Sequence, residues 1–117
     1  HHLESLIEPS YFLRMIPSIA ALDRSDLLEL IYSDMKEVEI KQCALIAAEH
    51  NSIQVLTFLS SNGAPMKGAL LAAVEHHQTK AFDFLIQLPI DKSEIALAIS
   101  LAYKLHHNDM LDTLLQL

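Results

Sequence analysis

The chain has no tryptophan, one cysteine and two glycines among its 117 residues. A single thiol, Cys43, cannot form an intrachain disulfide, so packing has to hold the fold, as expected in a reducing compartment. With only two glycines and four prolines, little of the chain is suited to flexible loops, and a disordered or low-complexity chain is excluded. No apolar run approaches the ~18 residues that a transmembrane helix needs. Positive charge is scarce as well: eight Lys and Arg stand against fifteen Asp and Glu, for a formal charge of −7. No stretch gathers the basic residues, which makes duplex nucleic acid and anionic membrane poor partners. A Gly-rich phosphate loop, a Gly-x-Ser-x-Gly elbow and a zinc-protease motif are also missing.

What is present is apolar and helix-forming. Half of the residues are apolar, and Leu, Ile and Ala outnumber Val and Thr, a balance that favours helix over strand. The length is that of one domain able to bury a core without metal or disulfides. His1-His2 is read as the remnant of an affinity tag, leaving residues 3–117 as one domain, expected to be a fragment of a longer protein.

The most regular stretch is residues 43–65. Ala44 to His50 reads as a helix whose small residues Ala44, Ala47 and Ala48 allow a neighbouring backbone to approach closely. Asn51-Ser52 turns the chain, and Ser52 is expected to cap a second helix by accepting from a first-turn amide. That helix carries Ile53, Val55, Leu56, Phe58 and Leu59, and Asn62-Gly63 supplies a left-handed stop, with positive φ expected at Gly63.

This pattern recurs. Leu27-Leu28-Glu29-Leu30-Ile31 aligns with Val55 to Leu59, Ala81 to Leu85 and Met110 to Leu114, at offsets of 28, 26 and 29 residues. Each copy has two apolar residues, one polar residue (Glu29, Thr57, Asp83, Asp112) and a further pair that is apolar except at Thr113. A helix with small residues precedes each copy: Ala20, Ala47-Ala48, Ala73 and Ala102. Four helix pairs follow, and each has to stack on the next, because one pair cannot bury its apolar face alone.

The unit at 43–65 resembles an ankyrin repeat through Ala47-Ala48, the Asn51-Ser52 turn where that family prefers Gly-His, Val55-Leu56, Phe58-Leu59 and Asn62-Gly63-Ala64. Weaker copies lie at about 17–33, 69–88 and 97–117. The family's Thr-Pro-Leu-His opening is replaced by Gln42, Cys43, Ala44 and Leu45, and the repeat is shorter than the roughly 33 residues of an ankyrin unit. The resemblance therefore implies an all-α helical-hairpin solenoid with shortened or missing hairpin fingers and an N-terminal helical extension. Leu3 to Glu8 and the segment from Tyr11 and Phe12 to Ile16 form that extension. Pro17 opens the next helix, Ser25 or Asp26 caps the one after it, and Asp91 or Ser93 caps the helix that follows Pro89. Val38 and Ile40 fit either a short extended piece or the first turn of a helix.

The candidate site residues are His50, Asn51, His76, His77, His106 and His107, at the end of the first helices or in the turns after them. Turn and carbonyl hydrogen bonding is the favoured role. A zinc-binding ladder is the alternative, although adjacent histidines on a helix diverge by ~100° and zinc wants about four ligands. Cys43 and His50 share a helix face but lie ~10 Å apart along it, too far to act as thiolate and base. No catalytic residue, metal or cofactor is expected.

The resemblance implies a protein-binding module acting through first helices and turns, located in the cytoplasm, or in a host's cytoplasm for a secreted effector. The alternatives are a non-catalytic accessory or substrate-recognition domain of a larger enzyme or bacterial effector, and, ranked last, a stand-alone enzyme or a His-based metal binder. The partner is another protein rather than nucleic acid or membrane. The last helix pair leaves Leu105, Leu111 and Leu115 as an apolar flank, expected to dock on other parts of a longer protein or to self-associate.

Overall fold

A computed structural model describes residues 13–117, and within them the only regular structure is helix. The expected helix over Leu3 to Glu8, Tyr11 and Phe12 of the next segment, and the tag remnant His1-His2 lie outside the described residues. The described helices are α1 (Ile16–Ala21), α2 (Ser25–Ile31), α3 (Glu37–Glu49), α4 (Ile53–Ser61), α5 (Ala69–Glu75), α6 (Thr79–Leu85), α7 (Lys92–Leu105) and α8 (Asn108–Leu115). A single 3₁₀ turn, Tyr32–Asp34, follows α2.

Local chemistry sets the starts of these helices. Pro17 lies in the first turn of α1, where its missing N–H leaves no bond unmade. Val38 and Ile40 belong to the first turn of α3, which begins seven residues earlier than Ala44. There the Glu39 carboxylate accepts the Lys36 backbone N–H at 2.7 Å, and Glu37 and Glu39 sit at the positive end of the helix. Arg24, not Ser25 or Asp26, is the N-cap of α2, and Asp91 is that of α7. Arg24 also pairs with the Asp26 carboxylate at 2.9 Å.

The helices associate as four hairpins: α1 with α2, α3 with α4, α5 with α6, and α7 with α8. Successive first helices (α1, α3, α5, α7) pack on one another, and so do the second helices α2, α4 and α6. The result is a two-layered array measuring 50 × 21 × 18 Å. Small residues permit the first-helix contacts: Ala20, Ala47, Ala48, Ala69, Ala73, Ala98 and Ala102 have no exposed surface. Larger side chains fill the second layer, where Leu28, Leu56, Leu59, Phe82, Leu85 and Leu114 are buried. Tyr32 meets Phe58 edge-to-face at a centroid separation of 5.2 Å, tying α4 to the chain just after α2. The repeated polar positions Glu29, Thr57, Asp83 and Asp112 are all exposed.

Gly63 has φ +73° and ends α4, and the N–H of Ala64 returns to the Leu59 carbonyl at 3.0 Å. A Cβ there would meet nothing within 4 Å, so only backbone strain opposes a side chain. At Gly68, with φ +89°, a Cβ would also lie 3.2 Å from Leu45 Cδ2. Gly63→Ala is expected to cost about 1 kcal/mol and Gly63→Val more. Gly68→Ala is expected to exceed Gly63→Ala, with urea denaturation midpoints as the measurement.

Candidate functional site

Every hairpin turns through one residue in the left-handed region. These are Asp23 (φ 58°), Asn51 (φ 59°), His77 (φ 52°) and His106 (φ 61°). Asn, Asp and His tolerate this conformation better than other L residues. The residue after each one closes the first helix, because the N–H groups of Arg24, Ser52, Gln78 and His107 donate to carbonyls five residues back, at 2.9 to 3.0 Å. The same residue is the N-cap of the second helix, so the turn has no residues to spare.

The side chains at these corners reach the next unit. Asp23 Oδ1 accepts the N–H of Val55 at 2.9 Å, and Asn51 Oδ1 accepts that of Ala81 at 2.8 Å. Each acceptor satisfies a first-turn amide that α4 or α6 cannot satisfy internally. His77 Nε2 reaches the Asp109 carboxylate of α8 at 3.1 Å. Bonds also run backward, from Ser52 Oγ to the Ala21 carbonyl (3.3 Å), from Gln78 Nε2 to that of Glu49 (2.5 Å) and from His107 Nδ1 to that of Val74 (2.8 Å). Ser52 therefore holds the N-cap position of α4 without its side chain capping the helix. Its hydroxyl is buried and spent on the preceding unit, and Asp23 does the capping.

The histidines divide by position. His50, at the end of α3, places Nδ1 2.9 Å from the Ile46 carbonyl of its own helix. His76 ends α5, with Nε2 3.4 Å from Glu75 and 3.8 Å from Glu49. His77 and His107 come together as parallel rings, 4.2 Å apart at 12°. His106 is exposed at the α7–α8 turn. Among the described residues, no group of three or more His, Cys, Asp or Glu is arranged to hold a metal ion.

Asp23, Gln78 and Asp109 belong to the same network, although the spacing of histidines does not reveal them. Laying the four copies over one another reveals Asp23, in the column Asp23, Asn51, His77, His106, but does not single out Gln78 or Asp109.

The displaced titrations all move away from neutrality. Burial pushes the Cys43 thiol up to about 11, so it stays protonated and unreactive at neutral pH. The hydrogen bond from His77 holds Asp109 below the usual aspartate value, and that from Arg24 does the same to Asp26. No helix among the described residues is long and apolar enough to cross a membrane. Neither a protein-family model nor a curated protein nor a solved structure matches the chain.

Two tests follow from the corner network. Asn51→Ala removes the Ala81 cap and a residue suited to the left-handed turn, and is expected to cost about 2 kcal/mol. Asn51→Gly, which keeps the backbone freedom, is expected to cost less. Asp109 has a folded pKa below its unfolded one, so its contribution is present above about pH 3.9 and is lost as pH falls through the folded value. A carboxyl-carbon NMR titration is expected to place Asp109 below an ordinary aspartate and to move it back up in His77→Ala.

Proposed function

We propose that this chain is a shortened ankyrin-like solenoid that binds another protein through the outer face of its first helices. One observation carries the reading: that face holds two neighbouring apolar depressions. A shallow groove of about 500 Å³ runs along α3 between Glu37, Val38, Lys41, Gln42 and Leu45. A smaller one of about 190 Å³ lies between α5 and α7, with Leu71 and Leu97 on its walls. Leu45, at the edge of the first, lies close to Gly68, at the edge of the second, so the two are neighbours on the surface.

Val38 and Leu97 are 68% and 57% exposed, high values for apolar side chains standing among charged neighbours. Apolar residues displayed in a row across rigid helices, with Lys41, Lys67 and Glu37 beside them, suit a protein segment that offers apolar side chains between charges. Chemistry on a bound substrate has less support from the thiol, because Cys43 is buried and protonated. The packing of successive hairpins supports the solenoid reading, and the lack of strands among the described residues is consistent with shortened or missing fingers.

The test is site-specific photo-crosslinking in cells that express the protein. A photoreactive residue at Leu97 or Val38 is expected to capture one discrete protein, while the same residue at Asp83, on the exposed side of the second layer, captures none. Val38→Glu is expected to abolish capture from Leu97. Equal labelling from all three positions would refute the reading.

A further inference from the structure

Each junction between hairpins pairs a corner residue of one unit with the helix-opening residue of the next. Asp23 and Ser52 join the first hairpin to the second, and Asn51 and Gln78 join the second to the third. The third junction is built from imidazoles instead: His77 and His107, together with Asp109. Histidine is the side chain whose charge ordinarily changes between pH 5 and 8, so this junction differs from the other two in being able to take up protons there.

Hydrogen bonds decide which ring nitrogens already carry a proton. A carboxylate can only accept, so His77 Nε2, 3.1 Å from both Asp109 oxygens, carries a hydrogen. The Val74 carbonyl can only accept as well, so His107 Nδ1, 2.8 Å from it, carries one too. Each neutral ring keeps one lone pair, on His77 Nδ1 and on His107 Nε2. The rings lie face to face, with centroids 4.2 Å apart and planes 12° from parallel.

A first proton, on His77, turns its bond to Asp109 into an ion pair across the junction. Asp109 stays ionised in this range, since the bond from His77 holds it below the usual aspartate value. His107 bonds a carbonyl rather than a carboxylate, so a second proton there gains no ion pair and sets two like charges 4.2 Å apart.

The elements around the pair carry further charges. Glu49 of α3 and Glu75 of α5 both lie against His76, which therefore has carboxylates of its own. Lys80 and Asp83 stand on α6, Lys104 on α7 with His106 after it, and Asp112 on α8. Lys80 and Lys104 oppose either proton, and Asp83 and Asp112 favour either. What separates the first step from the second is the bond to Asp109 and the stack.

We propose that protons set how tightly the α7–α8 hairpin docks on the α5–α6 hairpin: one proton on the His77–His107 pair tightens the junction, and a second loosens it. The same protons then govern how firmly α7 holds Leu97 beside α5. That consequence rests on the binding role given above to this face, whereas the proton dependence of docking does not.

The test is amide exchange across α8 of the whole chain between pH 8 and 5, corrected for the intrinsic rate at each pH. His77 and Asp109 are 46% and 57% exposed, so each step is expected to change protection by about threefold. As pH falls, protection is expected to rise, pass through a maximum and then drop. The other junctions supply the variants. His107→Gln installs the residue type of Gln78 and is expected to keep the rise and abolish the drop. His77→Asn installs that of Asn51, which also tolerates positive φ, and is expected to abolish both. Asp109→Asn is expected to abolish the rise and leave the drop. A flat or one-directional profile in the unaltered chain would overturn the proposal, and so would a drop that persists in His107→Gln.

Discussion

At each corner a single residue with positive φ reverses the chain between two helices. The reversal is that short because the residue after the corner closes the first helix with its N–H and opens the second one. An L residue pays roughly 1 to 2 kcal/mol to adopt this conformation, a cost that falls for Asn and Asp. Asp23, Asn51 and His77 offset it with a bond to the next hairpin. Turning and stacking therefore depend on the same side chain. A residue unable to hold the corner would misplace a hairpin and also leave a first-turn amide, or in α8 the Asp109 carboxylate, without its partner.

The two layers satisfy different steric demands. Alanines let successive first helices lie close together, and their surfaces on that side are fully covered. The second helices meet through Leu, Phe and Met side chains and pack less closely on one another. Close packing fixes the first helices rigidly, and so fixes the spacing between Val38 on α3, Leu71 on α5 and Leu97 on α7. A row of apolar side chains at set intervals is useful for recognition only if those intervals do not change. The structural role of alanine in this chain thus underlies the proposed binding role of its leucines.

Polar residues that look like a functional cluster are mostly spent on architecture. His50 bonds a carbonyl of its own helix, His107 bonds Val74 across units, and His77 holds Asp109 while stacking on His107. His106 alone keeps the corner conformation without a bond of that kind among the described residues.

Much of this was legible in the residues themselves. Spacing of Leu27, Val55, Ala81 and Met110 located the four second helices, because an apolar stripe with period near 3.6 is a local property. Gly63 could be assigned positive φ because glycine after Asn at a helix end satisfies a local steric requirement. The alanines marked the first helices for the same kind of reason. Tertiary structure alone decided where polar side chains pointed. Ser52 read as the cap of its own helix, but its hydroxyl bonds Ala21, and the amide of Val55 is taken by Asp23, 32 residues away. A serine before a helix is able to accept a first-turn amide in any sequence. Which donor reaches it, or which carbonyl it reaches, depends on how closely the neighbouring hairpin packs, and sequence spacing does not encode that distance.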